Sequence, residues 1–246
     1  MPPVRVISFD LWDTVFVDDS DEPKRRAQGL PPKPLARREL VHSFLSRHAP
    51  VERALVDCAY DTADAAFREL WHNHHLTWTV AVRLGVLLKG LKRELPPAEF
   101  AQLVRLHEDM ELVVRPDLVP GVAEAVRALA AQYKLIVISD AIFSPGRALR
   151  ELLAGYGLLH AFSAFVFSDE VGCSKPDPTA FRKAAEMAGC RLDEIVHIGD
   201  REQNDIAGPK SVGARAVLLT AAVDRGSAST AADAVCRNYG ELPAII

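Results

Sequence analysis

Four apolar runs in this chain each stop on a side chain capable of chemistry. Val4-Arg5-Val6-Ile7-Ser8-Phe9 runs into Asp10, with Leu11-Trp12-Asp13-Thr14 behind it, and Lys134-Leu135-Ile136-Val137-Ile138 runs into Ser139 and Asp140. Ala164-Phe165-Val166-Phe167 runs into Ser168-Asp169 and then Gly172-Cys173-Ser174-Lys175-Pro176. Glu194-Ile195-Val196-His197-Ile198 runs into Gly199-Asp200, with Asn204 and Asp205 following. Short runs of β-branched and aromatic residues suit the central strands of a parallel sheet. Open α/β sheets build their sites at the carboxyl ends of such strands. Asp10, Ser139, Lys175, Asp200 and Asp205 are therefore expected to converge. Carboxylates crowded together repel unless a cation intervenes. A hard, oxygen-preferring ion such as Mg²⁺ suits them better than zinc. A lysine and a hydroxyl beside that ion would cradle a phosphoryl or other anionic group. Taken alone, Lys175 reads as a surface residue and Ser139 as a helix cap. Their joint placement makes the active-site reading.

The elements that must position these residues follow from periodicity. Strands are expected over 4–9, 134–139, 164–167, 194–199 and 214–219, with helices over 120–132, 144–156, 177–188 and 203–212. Alternating strands and helices indicate right-handed βαβ units and a parallel sheet covered on both faces. Residues 17–34 are charged and proline-rich and read as a loop or linker. From Leu35 to about Arg115 the period is helical, with stripes such as Leu40, Phe44, Leu45 and Val80, Leu84, Leu87, Leu88. About four helices are expected there. The fold expected is α/β: a parallel-sheet core (1–16 and 116–246) with an inserted all-helical domain (17–115). An insertion after the strand that ends in Asp10 would lie over the strand ends as a lid does.

Composition narrows the function classes. The chain has 246 residues, 49% apolar and 25% charged, as in ordinary globular proteins. A formal charge of −4 gives no electrostatic footprint for nucleic acid or an anionic membrane. No run approaches the length of a transmembrane helix. The first strand starts so early that a signal peptide is not expected. Cys58, Cys173, Cys190 and Cys236 form no CxxC pair and suit a reducing cytoplasm. Sequence is silent on oligomeric state.

Taken in order, Asp10…Thr14, Ser139, Lys175-Pro176 and Gly199-Asp200…Asp205 resemble the motifs of the haloacid dehalogenase-like hydrolase superfamily. The helical block stands where that superfamily carries its type 1 cap, and the resemblance spans essentially the whole chain. It implies a Rossmann-like core, Mg²⁺, a small-molecule substrate such as a phosphate ester, and a covalent intermediate on Asp10. By resemblance Asp10 is the nucleophile, and Ser139 and Lys175 hold the transferred group. Asp10, the Trp12 backbone carbonyl and Asp200 would ligate the metal, with Asp205 supporting it through water and Asn204 beside it. Leu11, Thr14 and Asp140 would bind substrate, Thr14 also steadying the loop.

One position departs from the family. Its phosphatase loop reads Asp-x-Asp-Gly-Thr, so counting from Asp10 to Thr14 puts Trp12 where the second Asp stands and Asp13 where Gly stands. That second Asp protonates the leaving alcohol and activates water. Trp12 cannot, and losing such help costs roughly 10²–10⁴-fold, least for a good leaving group. Asp13 reads as a loop-stabilising carboxylate, a displaced catalytic acid being the alternative. The haloacid dehalogenases proper carry an aromatic at the Trp12 position, but they need no metal and typically lack the acid that Asp200 supplies. A metal-dependent phosphatase is the leading expectation. The alternatives are a 2-haloacid dehalogenase, a phosphonate hydrolase, or a non-catalytic binding protein on the same scaffold. In the helical block Lys33, Lys89 and Lys92 read as solvated. Arg37 and Arg38 read as a solvated helix face, with reach to a substrate anion as the alternative. His72, His74 and His75 read as a helix end and turn rather than a metal site.

Overall fold

A computed structural model describes residues 3–246. The central strand β1 (Val6–Phe9) is buried along its whole length, as its uninterrupted run of strand formers requires. Six helices follow: α1 (Asp21–Ala27), α2 (Lys33–Ser46), α3 (Arg53–His74), α4 (Val80–Gly90), α5 (Pro97–Glu108) and α6 (Met110–Val113). Then α7 (Val122–Ala130), β2 (Lys134–Ser139), α8 (Gly146–Gly155), β3 (Phe162–Phe167), α9 (Ser168–Val171), α10 (Pro178–Ala188) and β4 (Ile195–Gly199) alternate. The chain ends with α11 (Gly208–Ser211), β5 (Arg215–Leu219), β6 (Ala234–Cys236) and α12 (Leu242–Ile245).

The six strands form one parallel sheet in the order β3-β2-β1-β4-β5-β6. Side chains alternate across it. Ile7 and Phe9 face a core built with Val126 and Leu129 of α7 and Leu149 and Leu152 of α8. Val6, Ile136 and Ile138 face Phe181 and Ala184 of α10 on the other side. Register aligns the strand ends: Phe9 pairs with Val137 on one side and Ile198 on the other. Asp10 is thus level with Ile138 and Gly199, which puts Ser139 and Asp200 one residue beyond it.

Helices α2 to α5 enclose a separate core around Val41, Phe44, Tyr60, Leu84, Leu87 and Leu103. Two core loops enter this block. Phe143, after β2, packs against its apolar cluster, and Arg83 of α4 donates to the Ile142 carbonyl at 3.0 Å. The turn after α3 pairs with the segment before Lys175: Leu76 bridges Cys173, and Ser174 N–H donates to the His75 carbonyl at 2.8 Å.

Several expectations need correction. Residues 17–34 contain α1, and the block holds six helices because the short α1 and α6 flank the four with long apolar stripes. The helix expected over 203–212 is a π-helical turn, Glu202–Ala207, followed by α11. Pro209 lacks the N–H that would continue a regular ladder. Strand β6 is three residues long and too short to show a period.

Candidate active site

Asp10 leaves β1 with its N–H still donating to the Ile198 carbonyl at 2.9 Å, which fixes it at the carboxyl end of this central strand. Its Oδ1 accepts two bonds, from Ser139 Oγ at 2.8 Å and from Lys175 Nζ at 2.8 Å. Lys175 also donates to Asp205 Oδ1, and its own N–H donates to Asp140 Oδ1 at 2.9 Å. Lys175 is 3% exposed. Burial alone would lower the pKa of its ammonium, but the carboxylates of Asp10, Asp205 and Asp140 outweigh that and raise it well above the usual lysine range.

Asp10, Asp200 and Asp205 offer carboxylate oxygens that all lie within 4.8 Å of one another. Asp205 is saturated by the protein: Oδ1 faces Lys175 and, at 3.1 Å, His197 Nε2, while Oδ2 accepts the Arg201 N–H at 3.0 Å. Burial works against its charge, yet Lys175 and His197 hold its pKa far below the carboxylate norm. Asp200 differs. Arg225 Nε donates to its Oδ2 at 2.6 Å, while its Oδ1 is buried without a partner. Burial, then the carboxylates of Asp10 and Asp205, push Asp200 up to about 7 against the pull of Arg225. An orphaned carboxylate oxygen beside two other acids fits a divalent cation held by oxygen ligands. Gly199 makes the approach possible, since a Cβ there would lie 2.3 Å from Asp205 Cγ.

Asp13 sits in the left-handed region at φ 52°. Its Oδ1 accepts the Asp18 N–H at 3.0 Å and its Oδ2 accepts from Arg225 Nη2 at 2.6 Å. Both oxygens are engaged in holding the loop. Asp140 lies in the cavity wall and accepts from Asn204 Nδ2 at 3.2 Å as well as from Lys175. Burial is the chief cause that pushes it up to about 7.

Leu11 and Thr14 are fully buried and do not line the cavity, so their side chains cannot touch a substrate as expected. Leu11 belongs to the sheet core, and its carbonyl receives the N–H groups of Thr14, Val15 and Phe16. Only main-chain groups of these two residues remain for binding. Thr14 is itself tied down, its carbonyl accepting from Tyr239 Oη at 2.6 Å.

The cavity between the strand ends and the helices has a volume of about 380 Å³. Asp10, Trp12, Asp140 and Lys175 line it from the sheet side, and Lys33, Arg37, Arg68 and Trp71 from the helices. Lys33 and Arg37 are not solvated, contrary to the reading of their helix face; each is 4% exposed. Lys33 lies 2.7 Å from Asp21 and 3.4 Å from Glu111, and Arg37 3.3 Å from Glu111. The acids come from elements distant in sequence, which a helical periodicity cannot register. His72 and His74 are exposed at the end of α3, and His75 takes a left-handed conformation after it, as a helix end and turn require.

Two residues of the site escaped sequence reasoning. Arg225 stands in a loop after β5 with nothing in its neighbours to mark it. His197 left a signal, a polar ring in the apolar run of β4; it is fully buried between Ser8 Oγ at 2.8 Å and Asp205.

Residues 4–213 match the profile of the haloacid dehalogenase-like hydrolases. The chain belongs to that family, and its six-stranded parallel sheet flanked by helices is the family's fold. Among named relatives, a phosphoserine phosphatase of Thermus thermophilus is 46% identical over 77 residues, 31% of this chain and 29% of that protein. A glyceraldehyde 3-phosphate phosphatase of Methanopyrus kandleri is 29% identical over 245 residues, covering 98% of this chain and 91% of the relative. The solved structure of a 2-haloacid dehalogenase from Pseudomonas syringae pv. Tomato superposes with a TM-score of 0.68 at 24% identity, covering 98% of this chain and 97% of that one. Among the described residues no helix is long and apolar enough to cross a membrane.

Proposed function

We propose that this hydrolase is a Mg²⁺-dependent, cytoplasmic phosphatase of a small phosphorylated metabolite, with residues 17–115 forming a cap over a core of 1–16 and 116–246. The observation that carries the reading is the unpartnered Oδ1 of Asp200 beside Asp10 and Asp205, with Lys175 bonded to the nucleophile. The full-length phosphatase relative supports it. Asp10 and Asp200, with the Trp12 carbonyl, would hold the metal, and Asp205 would support it through water. The ion would supply positive charge at the phosphoryl oxygens.

Asp10 attacks phosphorus through Oδ2, since Ser139 and Lys175 both engage Oδ1 and so orient the carboxylate. A bond forms from Asp10 to phosphorus as the bond to the leaving oxygen breaks, giving an acyl-phosphate. Water then attacks phosphorus, releasing inorganic phosphate and restoring the carboxylate. Lys175 faces the transferred group throughout and offsets its charge.

The decisive measurement is phosphate release from a panel of monoesters with and without Mg²⁺, in wild type and Asp10→Asn. Release that needs both Mg²⁺ and Asp10 is expected. Full activity in Asp10→Asn would overturn the covalent mechanism. Trp12 favours a second reading, dehalogenation, which halide release from 2-haloacids without phosphate release from any ester would establish.

A further inference from the structure

We infer that the site is built for phosphate esters whose leaving oxygen is stable as an anion, aryl phosphates in particular, with the ring lying against Trp12 and Trp71. The inference rests on the phosphatase reading and adds a substrate class to it.

Its first ground is the residue that stands in the loop place of the family's general acid. Trp12 occupies the acid's place in the loop, and an indole N–H does not titrate. Asp13 is bound on both oxygens, by the Asp18 N–H and by Arg225. Asp140 has both oxygens occupied, Oδ1 by the Lys175 N–H and Oδ2 by Asn204 Nδ2. Glu111 accepts from Ser144 Oγ at 2.6 Å on one oxygen and faces Lys33 and Arg37 on the other. Asp18 and Asp19 line the cavity as exposed residues, Asp18 Oδ1 accepting the Asp19 N–H at 3.0 Å and Asp19 Oδ1 lying 3.1 Å from Lys33 Nζ. With Trp12 in the acid's place, the site suits an oxygen that leaves without a proton.

Its second ground is the wall of the cavity. Trp12 and Trp71 are half-buried and line it together with Ile142, Phe143 and Pro34. Trp71 is held flat against Phe67, ring centroids 6.0 Å apart and 2° from parallel, a fixed platform for a planar group. Lys33 and Arg37 line the same space and place positive charge beside it.

The step balances without an acid. The bond from Asp10 to phosphorus forms, the bond from phosphorus to the aryl oxygen breaks, and the electron pair departs on the phenolate, which takes a proton from solvent afterwards. Water then cleaves the acyl-phosphate and loses its proton to solvent.

Phenyl phosphate and benzyl phosphate carry the same ring, but only phenol leaves readily as an anion. Wild type is expected to show a kcat/KM for phenyl phosphate at least about 10²-fold above that for benzyl phosphate, and Trp12→Asp to narrow that gap. Trp71→Ala is expected to raise KM for phenyl phosphate and leave KM for acetyl phosphate, which has no ring, within twofold. Benzyl phosphate turned over within about tenfold of phenyl phosphate by wild type would overturn the leaving-group assignment. An unchanged KM for phenyl phosphate in Trp71→Ala would overturn the ring contact. The wild-type pair decides alone if Trp12→Asp fails to fold, judged by circular dichroism. No release from phenyl, benzyl or acetyl phosphate, and no phosphate on Asp10, would instead sink the phosphatase reading itself.

Discussion

The strand ends and the helical block both bury charge, and they do it with opposite signs. At the strand ends the acids Asp10, Asp140, Asp200 and Asp205 are buried around Lys175. In the block the buried charges are mostly basic: Arg25, Lys33, Arg37 and Arg83. Their charge is met by flat rings as well as by acids. The guanidinium carbons of Arg37 and Arg83 lie 3.5 and 4.1 Å from the centroid of Phe143, and Arg83 lies 4.4 Å from that of Phe67. Aromatic faces do not titrate, so they hold a cation at any pH. The acid cluster leaves Asp200 Oδ1 with no partner. One region answers its charges with rings and acids; the other gathers acids around a single lysine.

Three experiments can break or sharpen that contrast. The largest effect is expected from Lys175→Met, which leaves Asp10 and Asp205 buried without their ammonium. Stability should fall by about 3–5 kcal/mol in urea unfolding, and activity should vanish. A loss under about 1 kcal/mol would mean the acids are compensated elsewhere. Next comes the base-rich side. Burial, helped by Arg37 and Arg83, holds His107 down at about 4, against an unperturbed 6.5. The folded state therefore refuses a proton that the unfolded chain accepts. Stability should drop as pH falls from 6.5 towards 4, by up to about 3 kcal/mol, and no such contribution exists above 6.5. His107→Gln should remove that part of the pH dependence, measured as unfolding free energy at pH 7 and 4.5. The smallest effect is expected from Arg225→Gln. Its side chain is 38% exposed, so solvent screens its pairs with Asp13 and Asp200. Thermal unfolding should register less than about 1 kcal/mol. A loss matching that of Lys175→Met would make Arg225 part of the buried cluster rather than its rim.

The acid-rich region was legible in sequence because its residues follow apolar strands directly. Asp10, Ser139 and Asp200 needed only the rule that parallel strands finish together, and the register of β1 with β2 and β4 shows why it worked. The base-rich region was not legible. Lys33 and Arg37 occupy helical positions that look solvated until Asp21, Glu111 and Phe143 arrive from three other elements. Arg225 fails for the same reason: its partners Asp13 and Asp200 lie far away in sequence. Leu11 and Thr14 were assigned to substrate contact by their place in the loop. Their burial turned on which side of the loop faces the core, and spacing does not carry that. His197 shows the converse, a polar ring in an apolar strand that announced a buried partner without naming it.

Gly199 has a consequence in terms of inheritance. Any base change that alters the residue puts at least a methyl group where Asp205 now lies, 2.3 Å from its Cγ. Asp205 would move, and Lys175 and the orientation of Asp10 would move with it. A residue without a side chain is therefore among the least replaceable in the gene. Such a variant would look harmless in a list of active-site residues and would still silence the site.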